Sequence, residues 1–182
     1  MNNNHDSLTM ITILSGTNRA NNKSVKIAEL YLEHYHSGGV AAQLLDLQNL
    51  PADFSSTWMR DKQSTEFQNQ VEKYVRNVDK ILMVVPEYQG TFPGILKMFF
   101  DAIHPKDLAG KKVALTGSAA GRGGNLRGMD HLASTFHYLG IHVYPALLPI
   151  SKINDLMTQE GILHDEATLK SIRDHADGFV RY

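Results

Sequence analysis

Five short runs of apolar, often β-branched residues recur along the chain, and their spacing is the feature that most constrains its fold. The runs cover residues 10–14, 40–45, 81–85, 113–116 and 141–144. Their first residues lie 30, 41, 32 and 28 positions apart, which suits a strand–helix–strand unit of about 30 residues or more. Strands that are apolar nearly throughout are typical of a parallel sheet that helices cover on both faces.

Amphipathic helical patterns fill the intervals between these runs. The i, i+3, i+4, i+7 spacing of one helix face is clear at Leu96, Phe99, Phe100 and Ile103. Right-handed crossovers leave few topologies for five such strands, and they favour the doubly wound order 2-1-3-4-5. We therefore predict one α/β domain over residues 1–182 with a five-stranded parallel sheet and helices on both faces. We expect residues 1–8 to be disordered and two segments, 48–63 and 145–164, to be irregular.

The composition excludes several classes of protein. The 182 residues include no cysteine, which excludes disulfide scaffolds, zinc ribbons, iron–sulfur centres and thiol catalysis. The 18 lysines and arginines nearly balance 19 acidic residues, whereas nucleic-acid-binding proteins usually carry a basic excess. Residues 1–7 lack a signal-peptide pattern, and no apolar stretch approaches the ~20 residues of a membrane span. The histidine pairs lack a third metal ligand. We therefore expect a cytoplasmic protein with no metal site and no nucleic-acid or membrane partner.

Polar residues follow the first predicted strand, where a sheet of this order binds ligands beyond its carboxyl ends. The first loop, residues 15–24, contains hydroxyls, amides, Arg19 and the backbone N–H groups of a helix N-terminus, which together suit a phosphate. It is not a P-loop, because a second glycine before Lys23 and Ser24 is missing. On composition alone, a polar loop that caps a helix is an equally good interpretation.

The loops after strands 3 and 4 are unusual in different ways. The second loop, residues 86–94, holds two prolines, two glycines and two aromatic residues, which indicate a rigid segment. A turn before a helix would explain Pro93 and Gly94 but not Tyr88 or Phe92. The third loop, residues 117–125, has four glycines, which allow close approach to a ligand but also suit a flexible connection. The three loops together predict a mononucleotide cofactor, with its phosphate at the first loop and a flat body between the other two.

Three motifs in these loops resemble those of the NADPH-dependent FMN reductases, which have the flavodoxin-like fold. Residues 16–24 resemble the family's Gly-Ser/Thr-x-Arg-x-x-Ser-x-Ser/Asn motif, with Asn22 in place of the usual serine. Residues 86–101 resemble the highly specific Pro-Glu-Tyr-Asn-x-Ser-x-Pro-Gly-x-Leu-Lys-Asn-x-x-Asp motif, with Gln89 in place of the usual asparagine. Residues 121–124 resemble the Gly-x-x-Gly-Gly segment, and the likeness runs from about residue 9 to residue 144.

The resemblance implies FMN as the bound cofactor and NADPH or NADH as the electron donor. The implied phosphate-binding residues are Thr17, Arg19, Asn22 and Ser24. The implied ring-binding residues are Pro86, Glu87, Tyr88, Gln89 and Gly90 on one side and Gly117 and Ser118 on the other. Backbone N–H groups can stabilise the negative charge that grows on a flavin during reduction, so we assign no catalytic side chain.

The same resemblance implies an NAD(P)H-dependent oxidoreductase with a small-molecule electron acceptor: a free flavin, a quinone, an azo compound or a metal ion. Residues 103–105 stand where the family often has a tryptophan, which leaves the acceptor open. Family members commonly complete the site across a dimer interface, so we expect a homodimer or homotetramer built on Trp58, Phe92 or the helix that carries Phe99 and Phe100. Arg122 could favour NADPH by binding its 2′-phosphate or could only solvate its loop.

Two other functions stay open from the sequence. A flavodoxin-type electron carrier would hold FMN without using a pyridine nucleotide, but such carriers are usually strongly acidic and this chain has a net charge of −1. A flavin-binding module without reductase activity is the other alternative, and the three intact loops weigh against a module that has lost the cofactor.

Overall fold

The sheet of the computed structural model, which describes residues 10–59 and 62–182, has the predicted strand order. Its strands are β1 (Ile11–Ser15), β2 (Ala42–Asp46), β3 (Lys80–Pro86), β4 (Lys112–Ser118), β5 (His142–Val143) and β6 (Leu148–Ile150). They pair in parallel in the order β2-β1-β3-β4-β5, and β6 also pairs with β4. The predicted flavodoxin-like fold is confirmed. The prediction for residues 1–8 lies outside the described residues.

The fifth position of the sheet is occupied by two short strands rather than one. β5 pairs with the start of β4 and β6 with its end, where Ser118 lies opposite Ile150. Tyr144 still donates its backbone N–H to Val113 at 2.7 Å, but Pro145 has no N–H and cannot continue the ladder. The prediction that segment 145–164 is irregular is therefore wrong for β6 and for a short helix directly after it.

Of the helices in the described residues, five lie between strands and two follow β6. The helices are α1 (Lys23–Ser37), α2 (Phe54–Thr57), α3 (Thr65–Val71), α4 (Gly94–Ala102), α5 (Leu126–Tyr138), α6 (Ile153–Leu156) and α7 (Glu166–Arg181). A π-helical turn (Glu72–Arg76) extends α3, and 3₁₀ turns occupy Leu47–Asn49 and Pro105–Asp107. Segment 48–63, which was also predicted to be irregular, thus contains α2.

Hydrophobic side chains form one cluster on each face of the sheet. Ile81, Met83 and Val85 of β3 belong to the cluster under α3, α4 and α5, whereas Leu82 and Val84 belong to the cluster under α1 and α7. This alternation follows from the two-residue period of a strand, and it requires helices on both faces. Phe99 and Phe100 are buried within the first cluster, so their own side chains have almost no surface left for a second copy, and an interface on the helix that carries them stays a prediction.

A chain of three polar side chains crosses the second cluster. The phenol oxygen of Tyr31 on α1 lies 2.8 Å from the hydroxyl of Thr116 on β4 and 2.8 Å from Nδ1 of His175 on α7. Burial lowers the pKa of His175 to about 4, because the apolar surroundings disfavour the charged imidazolium. His175 is therefore neutral near pH 7 and serves as a hydrogen-bonding core residue.

Candidate functional site

The first loop is closed by the side chain of Asn22. Its Oδ1 accepts the backbone N–H of Val25 at 2.8 Å and so caps α1, while its Nδ2 donates to the carbonyl of Arg19 at 2.9 Å. The hydroxyl of Ser15, at the end of β1, also donates to the same Oδ1 at 3.3 Å. Asn22 thus ties the start of the loop to the helix that follows, which leaves the first N–H groups of α1 at the end of the loop, where an anion can bind them.

The second loop begins with a tight turn that demands unusual backbone angles. Tyr88 and Thr91 exchange backbone hydrogen bonds of 2.8 and 3.1 Å, and the two residues between them, Gln89 and Gly90, have φ values of 51° and 80°. Positive φ at both central positions defines a type I′ turn, for which Asn-Gly is the preferred sequence. Gly90 adopts its positive φ without strain. Gln89 also has a positive φ, which raises the free energy of any residue that carries a side chain.

The third loop is tied down along its length. The backbone N–H of Lys152 donates to Gly121 at 2.8 Å, and the hydroxyl of Ser151 donates to the carbonyl of Arg122 at 2.6 Å. At the base of the loop, a Cβ atom at Gly117 would collide with the carbonyl oxygen of Gly124. Gly117 and Gly124 therefore serve close packing of the backbone rather than a merely flexible connection.

The three loops meet around one cavity at the carboxyl end of the sheet. Its volume is about 560 Å³, within the range of roughly 300–1,000 Å³ typical of small-molecule sites. The predicted residues that line it are Arg19, Asn22, Ser24, Pro86, Glu87, Tyr88 and Ser118. The switch point of strand order, between β1 and β3, is where the fold was expected to bind a ligand.

The remaining predicted residues lie beside the cavity rather than in its lining. The hydroxyl of Thr17 contacts the phenol oxygen of Tyr88 at 2.8 Å, so it stands directly behind a lining residue. Gly117 packs under the third loop, and Gln89 and Gly90 form the turn that follows Tyr88. The structure thus brings all the predicted residues to one end of the sheet.

One wall of the cavity comes from residues that sequence reasoning missed. Ile153 and Asn154 of α6 line it, and Asn154 accepts a hydrogen bond of 2.8 Å from Nζ of Lys23. The contact joins positions 131 apart, which no local pattern could reveal. The length of segment 145–164 was the available signal, because long connections in a compact domain are often functional.

The cavity carries positive charge at its α1 end and one carboxylate on the opposite side. Arg19 and Lys23 flank the N-terminus of α1, and the first turn of that helix contains no acidic residue. The helix dipole adds partial positive charge at the same end. Glu87 lies on the second loop with its backbone N–H bonded to the carbonyl of Ser118 at 2.8 Å. The donor set at the α1 end therefore fits a phosphate group, and the wall between the second and third loops fits a flat polar ring.

Neither a metal cluster nor a membrane-spanning helix occurs in the described parts of the chain. Within residues 10–59 and 62–182, no group of three or more histidine, aspartate or glutamate side chains is placed to hold a metal ion. In the same ranges, no helix is both long enough and apolar enough to cross a bilayer.

Comparison with known sequences identifies the relatives of this chain. The family described as NADPH-dependent FMN reductase matches residues 9–155. An NAD(P)H-dependent FMN reductase of Pseudomonas aeruginosa is 30% identical over 137 residues, which are 71% of this chain and 71% of that protein. An FMN-dependent NADPH-azoreductase of Staphylococcus aureus is 25% identical over 112 residues, which are 60% of each chain.

Solved structures share the fold at low sequence identity. An NADH:FMN oxidoreductase in its apo form superposes with a TM-score of 0.76 at 20% identity, over 94% of this chain and 88% of that chain. An NAD(P)H:(acceptor) oxidoreductase of Paracoccus denitrificans gives a TM-score of 0.76 at 20% identity, over 96% of each chain. An archaeal flavodoxin gives 0.60 at 11% identity, over 94% of this chain and 96% of that chain. At these identities the likeness establishes the flavodoxin-like fold alone.

The match over residues 9–155 covers all three loops and therefore the whole ligand-binding end of the sheet. It confirms the expected class of enzyme, an oxidoreductase, and the expected cofactors, FMN with NAD(P)H as electron donor. The chain belongs to the NADPH-dependent FMN reductase family.

Proposed function

We propose that this FMN-dependent NAD(P)H oxidoreductase passes electrons to a small-molecule acceptor: a free flavin, a quinone, an azo compound or a metal ion. The observation that carries the proposal is the 560 Å³ cavity at the switch point. Hydrogen-bond donors that suit a phosphate lie at one end of it, and the second and third loops form its two walls at the other end. The azoreductase among the relatives supports an azo compound as one such acceptor. Bound FMN supplies the chemistry, namely hydride acceptance from NAD(P)H and electron transfer to the acceptor.

We assign the phosphate of FMN to the first loop. Thr17, Arg19 and Ser24 offer two hydroxyls and a guanidinium, and the N-terminus of α1 adds backbone N–H groups and the helix dipole. Asn22 already uses its Oδ1 as a helix cap and one amide hydrogen on Arg19. Its share in phosphate binding is therefore its backbone N–H and the remaining amide hydrogen, together with the shape that it gives the loop.

We assign the isoalloxazine to the space between the second and third loops. The segment from Pro86 to Tyr88 forms one wall, with Gln89 and Gly90 behind it, and Ser118 borders the other side, with Gly117 packed beneath the third loop. These residues would exclude water and orient the ring. The N–H groups of Glu87 and Tyr88 already donate to Ser118 and Thr91, so we assign the stabilisation of negative charge near the ring to the N–H groups of Gln89 and Gly90 in the turn. No side chain is needed as an acid or base, so binding and orientation are the whole task of the chain at this wall.

The visible spectrum of the purified protein tests this proposal. We expect the protein to purify yellow or to take up added FMN, to bind riboflavin much more weakly, and to oxidise NADPH in steady state when an acceptor is supplied. Equal affinities for FMN and riboflavin would contradict a phosphate site in the first loop. An electron carrier would instead bind FMN without oxidising NADPH, and a module without the cofactor would stay colourless.

We also propose a cytoplasmic homodimer or homotetramer, without nucleic-acid or membrane partners. Trp58 and Phe92 are only partly buried at the edge of the first hydrophobic cluster, so each has apolar surface left to pack against a second copy. Light scattering at micromolar concentration tests the assembly, and a monomer alone would contradict it.

A further inference from the structure

Asn125, at the end of the third loop, is a tightly constrained polar residue near the cavity. Its side chain is fully buried, with 0% exposure, and its backbone has a φ of 62°, in the left-handed region. Its Nδ2 donates to the carbonyl of Val85 at 3.0 Å. Its Oδ1 is buried and has no hydrogen-bond partner in the described part of the chain. A left-handed backbone and an unpaired buried oxygen both raise the free energy of the folded state, so another interaction of this side chain must compensate for them.

The compensating interaction is the hydrogen bond from Asn125 to the carbonyl of Val85. That oxygen is an acceptor, so only the amino end of the Asn125 amide can face it, and the orientation of the amide follows. The carbonyl carbon of Val85 is bonded to the nitrogen of Pro86, the first residue of the second loop. The bond from Asn125 therefore holds the second loop at its starting point, from the end of the third.

The surroundings leave room for this side chain and for little else. A Cβ atom at Gly117 would lie 3.1 Å from the Cβ of Asn125, and one at Gly128 would collide with its Oδ1. Glycines at 117 and 128 therefore provide the space in which the amide sits. A glycine at 125 would adopt the same backbone angle without strain, so the backbone alone does not require asparagine.

Other contacts between these segments are of a different kind. The hydroxyl of Thr91 lies 2.8 Å from Nδ1 of His131 on α5, but this pair is exposed to solvent. The N–H of Glu87 donates to the carbonyl of Ser118, as a continuation of the β3–β4 ladder. Asn125 is a side chain that joins the two loops where water cannot compete, so its bond is the one expected to set their spacing.

We propose that Asn125 is a positioning residue for the flavin, acting through the carbonyl of Val85 to fix the second loop against the third. The inference rests on the proposed function, in which these two loops hold the isoalloxazine. Asn125 is bonded to Val85, directly before the ring wall, rather than to the phosphate loop. Its loss should therefore weaken FMN and riboflavin by the same factor, whereas loss of a phosphate ligand weakens FMN alone.

The test compares two substitutions that keep the backbone angle. Asn125→Gly removes the amide, and we expect a folded protein by circular dichroism with an about tenfold higher Kd for both FMN and riboflavin and a shifted flavin midpoint potential. Asn125→Asp keeps the shape but replaces the donor, and its carboxyl group can donate to Val85 only when protonated. Its FMN affinity, relative to the wild-type chain at the same pH, should approach unity at pH 5 and fall at pH 8. His131→Ala, which removes the exposed contact, should change the Kd less than twofold.

Three results would overturn the inference. The first is a wild-type Kd and midpoint potential in Asn125→Gly, and the second is a loss confined to FMN. The third is an equal loss in His131→Ala. If Asn125→Gly does not fold, the pH dependence of Asn125→Asp decides instead, and a flat ratio across pH rejects the inference. A wild-type chain that takes up no FMN would overturn the proposed function itself, which distinguishes the two failures.

Discussion

The hydroxyl of Thr17 lies 2.8 Å from the phenol oxygen of Tyr88 and joins the first loop to the second. The same hydroxyl accepts the backbone N–H of Arg19 at 3.2 Å. One buried threonine on the first loop therefore contacts both the backbone of the proposed phosphate site and a residue of the proposed ring wall. The two halves of the site are coupled through it.

Substitutions of this pair should separate the two halves. Thr17→Val removes this link together with a hydroxyl that is proposed to bind phosphate, so we expect FMN affinity to fall about tenfold and riboflavin affinity to fall only by the smaller factor that loss of the link causes, because a hydrogen bond to a charged group contributes about 1.5–3 kcal/mol. Tyr88→Phe removes only the link between the first loop and the ring wall. It should weaken the binding of FMN and of riboflavin by the same factor, which is smaller than tenfold. Fluorescence titration with each flavin measures the difference, and the opposite pattern would assign Thr17 to the ring.

Arg19 should contribute more to FMN binding than to the fold. Arg19→Ala removes a charge-assisted hydrogen bond of about 1.5–3 kcal/mol, so we expect FMN affinity to fall about tenfold or more. The melting temperature without ligand should stay within a few degrees of the wild-type value. Lys26→Ala, on the next turn of α1 and outside the cavity lining, is the matched control for lost positive charge. Equal losses in the two variants would show a general charge effect instead.

The sequence predicted the strand order and the three loops, but not all the residues that support those loops. The three loops stand out locally, because a cluster of hydroxyls and amides, a proline-rich turn and a run of glycines each depart from ordinary connections. Asn154 and Asn125 do not stand out, because their importance depends on contacts with Lys23 and with Val85, far away in the chain. The sequence did not predict that the fifth strand is divided in two, for a similar reason. β6 is only three residues long, and it is a strand only because it pairs with β4.

Gln89 should limit the stability of the second loop. It has a φ of 51° as the first central residue of a type I′ turn, where asparagine adopts the left-handed region at lower cost. We expect Gln89→Asn to raise the free energy of unfolding by some tenths of a kcal/mol, within the ~1–2 kcal/mol that a left-handed residue costs. Gln89→Val should lower it, because a β-branched residue is strongly disfavoured at positive φ. Urea unfolding would contradict this if both variants matched the wild-type chain.

The buried His175 should make the fold acid-sensitive. Burial lowers its pKa in the folded state from 6.5 to about 4, so the unfolded chain binds the proton more readily between these values. The contribution of His175 to stability is therefore fully present above about pH 6.5 and is lost as the pH falls toward 4, at a rate of up to about 1 kcal/mol per pH unit.

The measurement is the free energy of unfolding in urea at several pH values between 4 and 7. His175→Gln should flatten the pH dependence relative to the wild-type chain, because the substituted side chain does not titrate. His137→Gln, at an exposed position on α5, should leave it unchanged. A slope that survives in His175→Gln would assign the acid sensitivity to other groups.

Arg122 is predicted to bind the 2′-phosphate of NADPH, and the structure shows which parts of this residue are free to do so. Its carbonyl accepts the hydroxyl of Ser151 at 2.6 Å, so its backbone is tied although it stands among glycines, while its side chain is exposed. An exposed guanidinium on a tied backbone can still reach a dinucleotide at the rim of the cavity and engage a phosphate with two hydrogen bonds. We therefore expect Arg122→Ala to raise the KM for NADPH and leave that for NADH nearly unchanged.

A second arginine near the same rim provides the matched control. Nη1 of Arg127 lies 3.0 Å from the position that a Cβ atom would take at Gly90, so its guanidinium packs against the turn of the second loop. Arg127→Ala removes the same charge from the same end of the sheet, but it should alter the two KM values equally, since its guanidinium lies against the turn of the second loop. The ratio of kcat/KM for NADPH to that for NADH, measured in both variants, decides between them. If the ratio falls in Arg127→Ala and not in Arg122→Ala, the 2′-phosphate is read from α5, and the third loop has no part in nucleotide choice.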